Sequence, residues 1–137
     1  MRGKAPNYFV FSKLFYFWYT HKVPLRLKLC QKLYDFILWL SPIIGRFPKS
    51  QRHLIGTQLN KLCFSLLELI IKANQVLGQK RQALQAQISQ KMDCLRLTIR
   101  LAKDLRLMSI KQYTQAAERI NEMGRMFQSW RKSRINK

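Results

Sequence analysis

The chain has 137 residues, of which 26 are lysine or arginine and only six are aspartate or glutamate, so its formal net charge is +20. An apolar content of 47% is typical of one globular domain and excludes a basic disordered tail. The sequence has only two histidines and six scattered carboxylates, so few residues could form a catalytic triad, an acid/base pair or a histidine metal site. We therefore expect a non-enzymatic protein without a cofactor or small-molecule substrate, and a polyanion as its partner.

Residues 1–22 form an aromatic and basic extension, with eight aromatic side chains between Tyr8 and Tyr19. The apolar run is interrupted by Lys13, is too short to span a bilayer and lacks a cleavage site, so we expect a cytoplasmic protein. Three interpretations remain open: a membrane-surface anchor, a segment that docks on a partner, or an extension peculiar to this chain. The scattered cations favour the last two over an anchor.

Four helices are predicted after the extension, and we expect no strands. The first covers about residues 25–40 and is ended or kinked by Pro42, and Ser50 is the expected N-cap of the next. The second covers about residues 51–77, with Gly78 as its stop. Its apolar face is Leu59, Leu62, Cys63, Leu66, Leu69, Ile70, Ala73 and Leu77.

The third helix, predicted over about residues 79–107, carries two apolar stripes about 140° apart. The first stripe is Leu84, Ile88, Met92, Leu95, Ile99 and Ala102, and the second is Leu97, Leu101, Leu105 and Met108. Two interpretations are open. Either the second stripe packs against another subunit or partner, or the helix is central and buried on two sides within one domain.

The fourth helix is predicted to begin at Ser109, which has capping-box spacing to Gln112. Its apolar face is Ile110, Tyr113, Ala117, Ile120, Met123, Phe127 and Trp130. Because short connections make consecutive helices antiparallel, the expected fold is an all-α, up-down-up-down four-helix bundle. Three widely spaced cysteines, Cys30, Cys63 and Cys94, are interpreted as buried thiols in a reducing cytoplasm.

The candidate nucleic-acid-binding residues begin with Arg96, Arg100 and Lys103, whose spacing forms a basic ridge between the two stripes. Further candidates are Arg106, Lys111, Arg119, Arg125, Arg131 and Lys132. Few carboxylates are available to neutralise these cations, which favours RNA or DNA as the counter-ion, bound through phosphates with weak sequence preference. Four aromatic residues that could stack on bases are expected in the core instead: Trp39, Tyr113, Phe127 and Trp130.

Residues 23–134 resemble the accessory variability determinant (Avd) family of diversity-generating retroelements. The specific residues are Tyr34-Asp35-x-x-x-Trp39-x-x-Pro42, followed by Phe47-Pro48-x-Ser50-x-Arg52. The resemblance implies a basic homopentameric barrel that binds a reverse transcriptase and nucleic acid during error-prone copying of a template RNA into cDNA. It implies no catalytic residues, because the polymerase performs the chemistry.

The resemblance also implies a structural role, closing the first helix onto the second, for Trp39, Pro42, Phe47 and Pro48. It leaves Arg52 as a surface contact or a cap. Two other functions stay open: an RNA-binding bundle without a polymerase partner, of the kind encoded in ribosomal intervening sequences, and a basic membrane-surface protein. The extension has no counterpart in the family, so the bundle is assigned to residues 23–137, and Val23 is a possible alternative start.

Overall fold

A computed structural model describes residues 25–133, and its regular elements over that range are four helices without strands. They are α1 (Leu25–Gly45), α2 (Lys49–Asn74), α3 (Gly78–Asp104) and α4 (Ile110–Lys132). The aromatic extension, its cations and the last four residues lie outside the described residues. The all-helical prediction is confirmed.

The helices pack in a ring, with α1 against α2, α2 against α3, α3 against α4 and α4 against α1. The connections are short, at residues 46–48, 75–77 and 105–109, so consecutive helices are antiparallel. The largest side chains of the core are Phe36, Phe47 and Phe127, surrounded by leucine and isoleucine. The expected four-helix bundle is therefore present.

The first helix extends five residues beyond its predicted end at Leu40 and includes Pro42. Proline removes one backbone donor, but the last turn also carries Ile43 and Ile44, which are 8% and 5% exposed and anchor it in the core. Burial of these two side chains outweighs the lost hydrogen bond. The prediction that the helix ends at Pro42 was therefore wrong.

The second helix begins at Lys49 with Pro48 at its N-cap, so the prediction of Ser50 as the cap was wrong. After one α-helical turn it forms a π-helical turn, Arg52–Gly56, and becomes α-helical again over Thr57–Asn74. A Cβ added to Gly56 would lie 2.9 Å from Ile44 Cγ2. The glycine thus allows the π-helical turn to approach the end of α1.

The predicted core face of α2 is buried from Leu59 to Ala73, whereas Leu77 is 67% exposed. Leu77 was misassigned because the helix ends at Asn74, and Gly78, with φ of +63°, starts α3 rather than ending α2. By length and apolar content alone α2 could cross a membrane. A core helix of a globular bundle has the same properties, and the apolar face of α2 forms part of this core.

The two stripes of α3 have different environments. The first is in the core, whereas Leu97, Leu101 and Leu105 of the second are 66%, 45% and 45% exposed. The interpretation of α3 as a helix buried on two sides within one domain is therefore wrong for the described chain. Met108 does not belong to the exposed stripe: α3 ends at Asp104, and Met108 turns inward to 5% exposure.

The predicted start of α4 is confirmed in detail. Ser109 Oγ accepts a hydrogen bond from the Gln112 N–H, and the Gln112 side chain accepts one from the Ser109 N–H, both at 3.0 Å. Two positions of the predicted core face were wrong. Ile110 is 77% exposed because it lies in the first turn, and Ala116 is buried in place of Ala117.

The lower end of the bundle, where α2 turns into α3, is closed by a buried arginine. Arg81 is 2% exposed; its Nε donates to the Ala73 carbonyl at 2.9 Å, and its guanidinium lies 5.7 Å from the ring centroid of Trp130. A second bond at 3.4 Å reaches the Asn74 carbonyl. These carbonyls belong to the last turn of α2, whose backbone acceptors lack partners within the helix. Arg81 therefore joins α2, α3 and α4.

Replacement of Arg81 by methionine should lower the free energy of unfolding by about 2 kcal/mol, because it retains much of the packing but leaves buried carbonyls without their donors. Urea unfolding followed by circular dichroism measures this difference. The matched control is Lys80→Met, which removes an exposed neighbouring cation and should change the stability little. Equal effects of the two substitutions would contradict the capping role.

Candidate nucleic-acid interface

A groove of about 600 Å³ between α3 and α4 contains three of the predicted cations, Arg96, Arg125 and Lys132. Asp93 is the carboxylate in its lining. Four polar side chains also line it: Ser89, Asn121, Gln128 and Ser129. The groove thus combines a formal charge of +2 with hydrogen-bonding groups, which is the chemistry that phosphate oxygens need.

The shape of this groove depends on a glycine. A Cβ at Gly124 would lie 2.7 Å from Arg96 Nη2, so the guanidinium lies directly over the backbone of α4. The other end of the same guanidinium is held by Asp93, with Nη1 2.9 Å from Oδ1. Arg96 is therefore fixed across the groove, with 41% of its side chain still exposed.

A second groove, of about 680 Å³, lies at the turn between α3 and α4. It contains Lys103 and Arg106, together with Asp104 and Tyr113. Lys103 Nζ lies 4.5 Å from the ring centroid of Tyr113 and 3.3 Å from Asp104 Oδ1. The ring of Tyr113 and the carboxylate of Asp104 thus both contact the Lys103 ammonium group.

Arg106 has a left-handed backbone, with φ of +62°. Its N–H donates to the Lys103 carbonyl at 2.9 Å, and the Leu107 N–H donates to the Ala102 carbonyl at 2.8 Å, which is the Schellman ending of a helix. Glycine usually occupies this position because a Cβ is unfavourable there. Arg106 therefore lies beyond the end of α3 and is not part of its ridge.

The remaining predicted site residues are spread over the surface. Arg100 lies on the ridge, with Nε 3.9 Å from Asp104 Oδ2, and Lys111 is exposed at the start of α4. Arg119 faces α1, where its guanidinium lies 4.9 Å from the ring centroid of Trp39. Arg131 is exposed, and its guanidinium lies 5.6 Å from the ring centroid of Phe127. The structure therefore groups five of the nine residues into two grooves on the α3–α4 side.

The ridge is less strongly charged than the sequence suggested. We expected cations without acidic partners, but Asp93 contacts Arg96, and Asp104 lies within 4 Å of both Arg100 and Lys103. Asp93 and Asp104 lie one helical turn from Arg96 and Arg100 and so reach the same side of α3, and Asp104 also follows Lys103 directly in the sequence. Their side chains are 29–70% exposed, so these pairs weaken the local field without removing it.

The aromatic residues confirm the core interpretation. Phe127 and Trp130 are 1% and 2% exposed, and Trp39 and Tyr113 pack partly buried against the core. Trp39 also contacts Arg119 of α4, a contact that the sequence did not predict. Phe47 closes the connection between α1 and α2 and is 2% exposed. Arg52 acts as a cap, because its Nη2 donates to the Phe47 carbonyl at 3.3 Å.

The cysteines fall into two groups. Burial raises the pKa of the Cys30 thiol to about 11 and that of Cys63 to about 12, so both stay protonated at neutral pH. Cys94 is exposed, and the prediction that it is buried was wrong because it lies on the outer side of α3. Among residues 25–133, no three histidine, cysteine or carboxylate side chains are placed to hold a metal ion.

The polar side of the first groove was missed by the sequence analysis. Asn121, Arg125, Gln128 and Lys132 recur at intervals of four, three and four residues, so they share one side of α4. The pattern includes two amide side chains, so it is not visible when only the charged residues of α4 are compared. Arg81 was missed for a related reason, although it lies seven residues before Ile88 and so continues the core stripe of α3.

Replacement of Arg106 by glycine should raise the free energy of unfolding by about 1 kcal/mol, because it relieves the left-handed backbone. Denaturant unfolding gives the value. The control Lys103→Gly, inside the last turn of α3, should lower stability by about the same amount. If Arg106→Gly destabilised the protein instead, the side chain would be holding the turn in place.

No curated protein matches the sequence. Residues 27–134 match the bAvd-like family, a range that includes the four helices except the first two residues of α1. The match covers most of the chain and confirms the resemblance found in the sequence motif. The chain belongs to the bAvd-like family of four-helix bundle proteins.

Proposed function

We propose that this protein is a non-catalytic accessory subunit of a diversity-generating retroelement, which binds a reverse transcriptase and its template RNA or cDNA in the cytoplasm of a bacterium. Membership of the bAvd-like family supports the accessory role. The observation that carries the nucleic-acid part is the groove between α3 and α4, where Arg96, Arg125 and Lys132 converge. The polymerase supplies the chemistry, and this chain supplies the binding surface.

The contacts to nucleic acid are made mainly to the backbone. Arg96 presents a fixed guanidinium, which suits paired phosphate oxygens, whereas Lys132 provides an exposed ammonium. Asn121, Gln128 and Ser129 can hydrogen-bond to sugar hydroxyls or phosphate oxygens. A groove of this composition binds RNA or DNA with weak sequence preference and strong dependence on salt.

The exposed stripe of α3, formed by Leu97, Leu101 and Leu105, is the proposed contact between subunits. It is adjacent along the helix to the basic ridge that includes Arg100. Burial of three leucines removes apolar surface from water, which favours association. Five copies in a closed ring, as the family resemblance implies, join one surface of each copy to a different surface of the next. Such a ring would carry five basic grooves.

Neutralisation of the groove should reduce RNA binding and its salt dependence. In the triple variant Arg96→Gln, Arg125→Gln and Lys132→Gln, the slope of log K against log salt should fall by about 2, since each phosphate contact to a single strand contributes about 0.7. Fluorescence anisotropy with a labelled single-stranded RNA over a salt series measures the slope.

The matched control removes three cations from α2, through Lys49→Gln, Lys61→Gln and Lys72→Gln. It lowers the net charge equally, so a general effect of charge would change both slopes alike. We expect the control to retain most of the slope. An equal loss in both triple variants would contradict the groove as the binding site.

A carboxylate in the exposed stripe should dissociate the assembly, because burying a charge without a partner costs more than the contact gains. The variant Leu97→Glu/Leu101→Glu is expected to have the mass of a monomer by light scattering, with unchanged helical content. Gln82→Glu adds a charge near the other end of α3 and should leave the mass as in the native protein. A native mass for the leucine variant would show that the subunits meet elsewhere.

A further inference from the structure

Two exposed surfaces of this basic protein are apolar and carry no charge at their centre. One is the leucine stripe of α3. The other, which we call the α1 outer face, consists of five exposed residues in the second half of α1: Tyr34, Leu38, Ser41, Pro42 and Gly45. Tyr34 and Leu38 are 46% and 59% exposed, so the face leaves large side chains in contact with water.

The charged residues of α1 lie outside this face. Lys28 and Lys32 are exposed but precede Tyr34, and at 100° per residue both lie more than 100° around the helix from it. Lys32 also contacts Glu122 of α4 at 2.9 Å. Asp35 is partly buried, and its carboxylate accepts a hydrogen bond from the preceding turn. The exposed positions from residue 34 to residue 45 are therefore uncharged.

The other two helices have no surface of this kind. The exposed apolar residues Phe64 and Ile71 of α2 are accompanied by the exposed cations Lys61 and Lys72. The exposed positions of α4 after Ile110 are polar or charged. Among the described helices, the α1 outer face and the leucine stripe are therefore the two apolar surfaces without a central charge.

The two surfaces match in length and in position along the bundle. Tyr34 and Gly45 are eleven residues apart, as are the exposed Cys94 and Leu105, so each surface extends about 17 Å along its helix. Alternate helices of the bundle are parallel, so α1 and α3 both end at the same end of the bundle. In neighbouring copies that point the same way, the two surfaces lie at the same height.

The two surfaces cannot meet within one chain. The first helix packs against α2 and α4, and α3 lies diagonally across the core from it. A contact between the α1 outer face and the leucine stripe must therefore join two copies of the chain. Because it joins unlike surfaces, each copy keeps one surface of each kind for a further neighbour, and the contacts close into a ring if the rotation allows.

We propose that the α1 outer face of one copy packs against the leucine stripe of the next copy. This contact rests on the proposed function, in which the stripe joins the subunits. With the two surfaces aligned, Leu38 lies beside Leu97, and the small residues Ser41 and Gly45 leave room for the two later leucines of the stripe. Large side chains opposite small ones pack without voids.

Charge is compatible with this contact at its upper end. Arg46 follows the α1 outer face directly and is exposed, and Asp104 directly precedes Leu105 of the stripe. The Asp104 side chain is 55% exposed, and its contacts within the chain are 3.3 Å to Lys103 and 3.9 Å to Arg100. In the aligned copies Arg46 lies close to this carboxylate. Such a pair at the rim fixes the register of the two surfaces more than it adds affinity.

A carboxylate on the α1 outer face should dissociate the assembly. Leu38→Glu is expected to have the mass of one chain, 16.4 kDa, by light scattering, because the contact would bury an unpaired charge. Helical content should not change, since Leu38 is exposed in the single chain. Ser41→Glu should have the same effect without removing an apolar side chain. The matched control Gln58→Glu adds the same charge at an exposed position of α2 and should keep the native mass.

A mixture of two dissociated variants tests the pairing of the two surfaces. Leu38→Glu retains the stripe, and Leu97→Glu/Leu101→Glu retains the α1 outer face, so each variant supplies the surface that the other lacks. The equimolar mixture should form a complex of two chains and nothing larger, because both remaining surfaces are blocked. Light scattering of the mixture and of each variant alone measures this difference.

The proposal is overturned if Leu38→Glu keeps the native mass, as it would if a lipid surface or a different protein covered the α1 outer face. It is also overturned if the mixture contains only single chains. Failure of the stripe as a subunit contact is a separate result, since Leu97→Glu/Leu101→Glu would then keep the native mass. Neither measurement involves RNA, so the proposed binding groove is tested independently.

Discussion

Six carboxylates share one small protein with 26 lysine and arginine residues, and the positions of those six determine the surface electrostatics. Asp93 and Asp104 contact the cations of α3, and Glu122 joins α4 to α1 through Lys32. In the turn between α1 and α2, Arg46 is exposed and lies far along the sequence from every carboxylate. Wherever cations gather without carboxylates, self-repulsion disfavours the folded chain unless a polyanion is bound. The stability of the fold therefore depends on whether these cations are neutralised.

Three sides of the third helix have different properties. One side provides core residues such as Ile88 and Leu95, and the opposite side exposes the leucine stripe. The basic ridge lies between them and borders the groove shared with α4. Since these sides are fixed at 100° per residue, an assembly through the stripe would leave the ridge at the edge of each contact. Assembly and nucleic-acid binding can then use the same helix without competing for the same residues.

The fold could be predicted from the sequence because helical periodicity is a local property. The core stripe of α3 and the capping box at Ser109 followed directly from spacing. Helix ends were predicted less well: Pro42 was expected to stop or kink α1, whereas Ile43 and Ile44 hold the last turn in the core. The groove could not be derived from spacing on one helix, because Arg96 and Arg125 belong to different helices and Arg96 lies over Gly124 of the other helix.

The residues that identify the family have mainly structural roles here. Phe47 fills the core between α1 and α2, and Arg52 binds its carbonyl at 3.3 Å while starting the π-helical turn. That turn brings Gly56 against Ile44, where no side chain would fit without displacement. The motif therefore specifies how the first two helices join, while the cations proposed to bind nucleic acid lie on the other pair. The match over residues 27–134 establishes the family, and the function must be tested at residues such as Arg125 that the motif does not include.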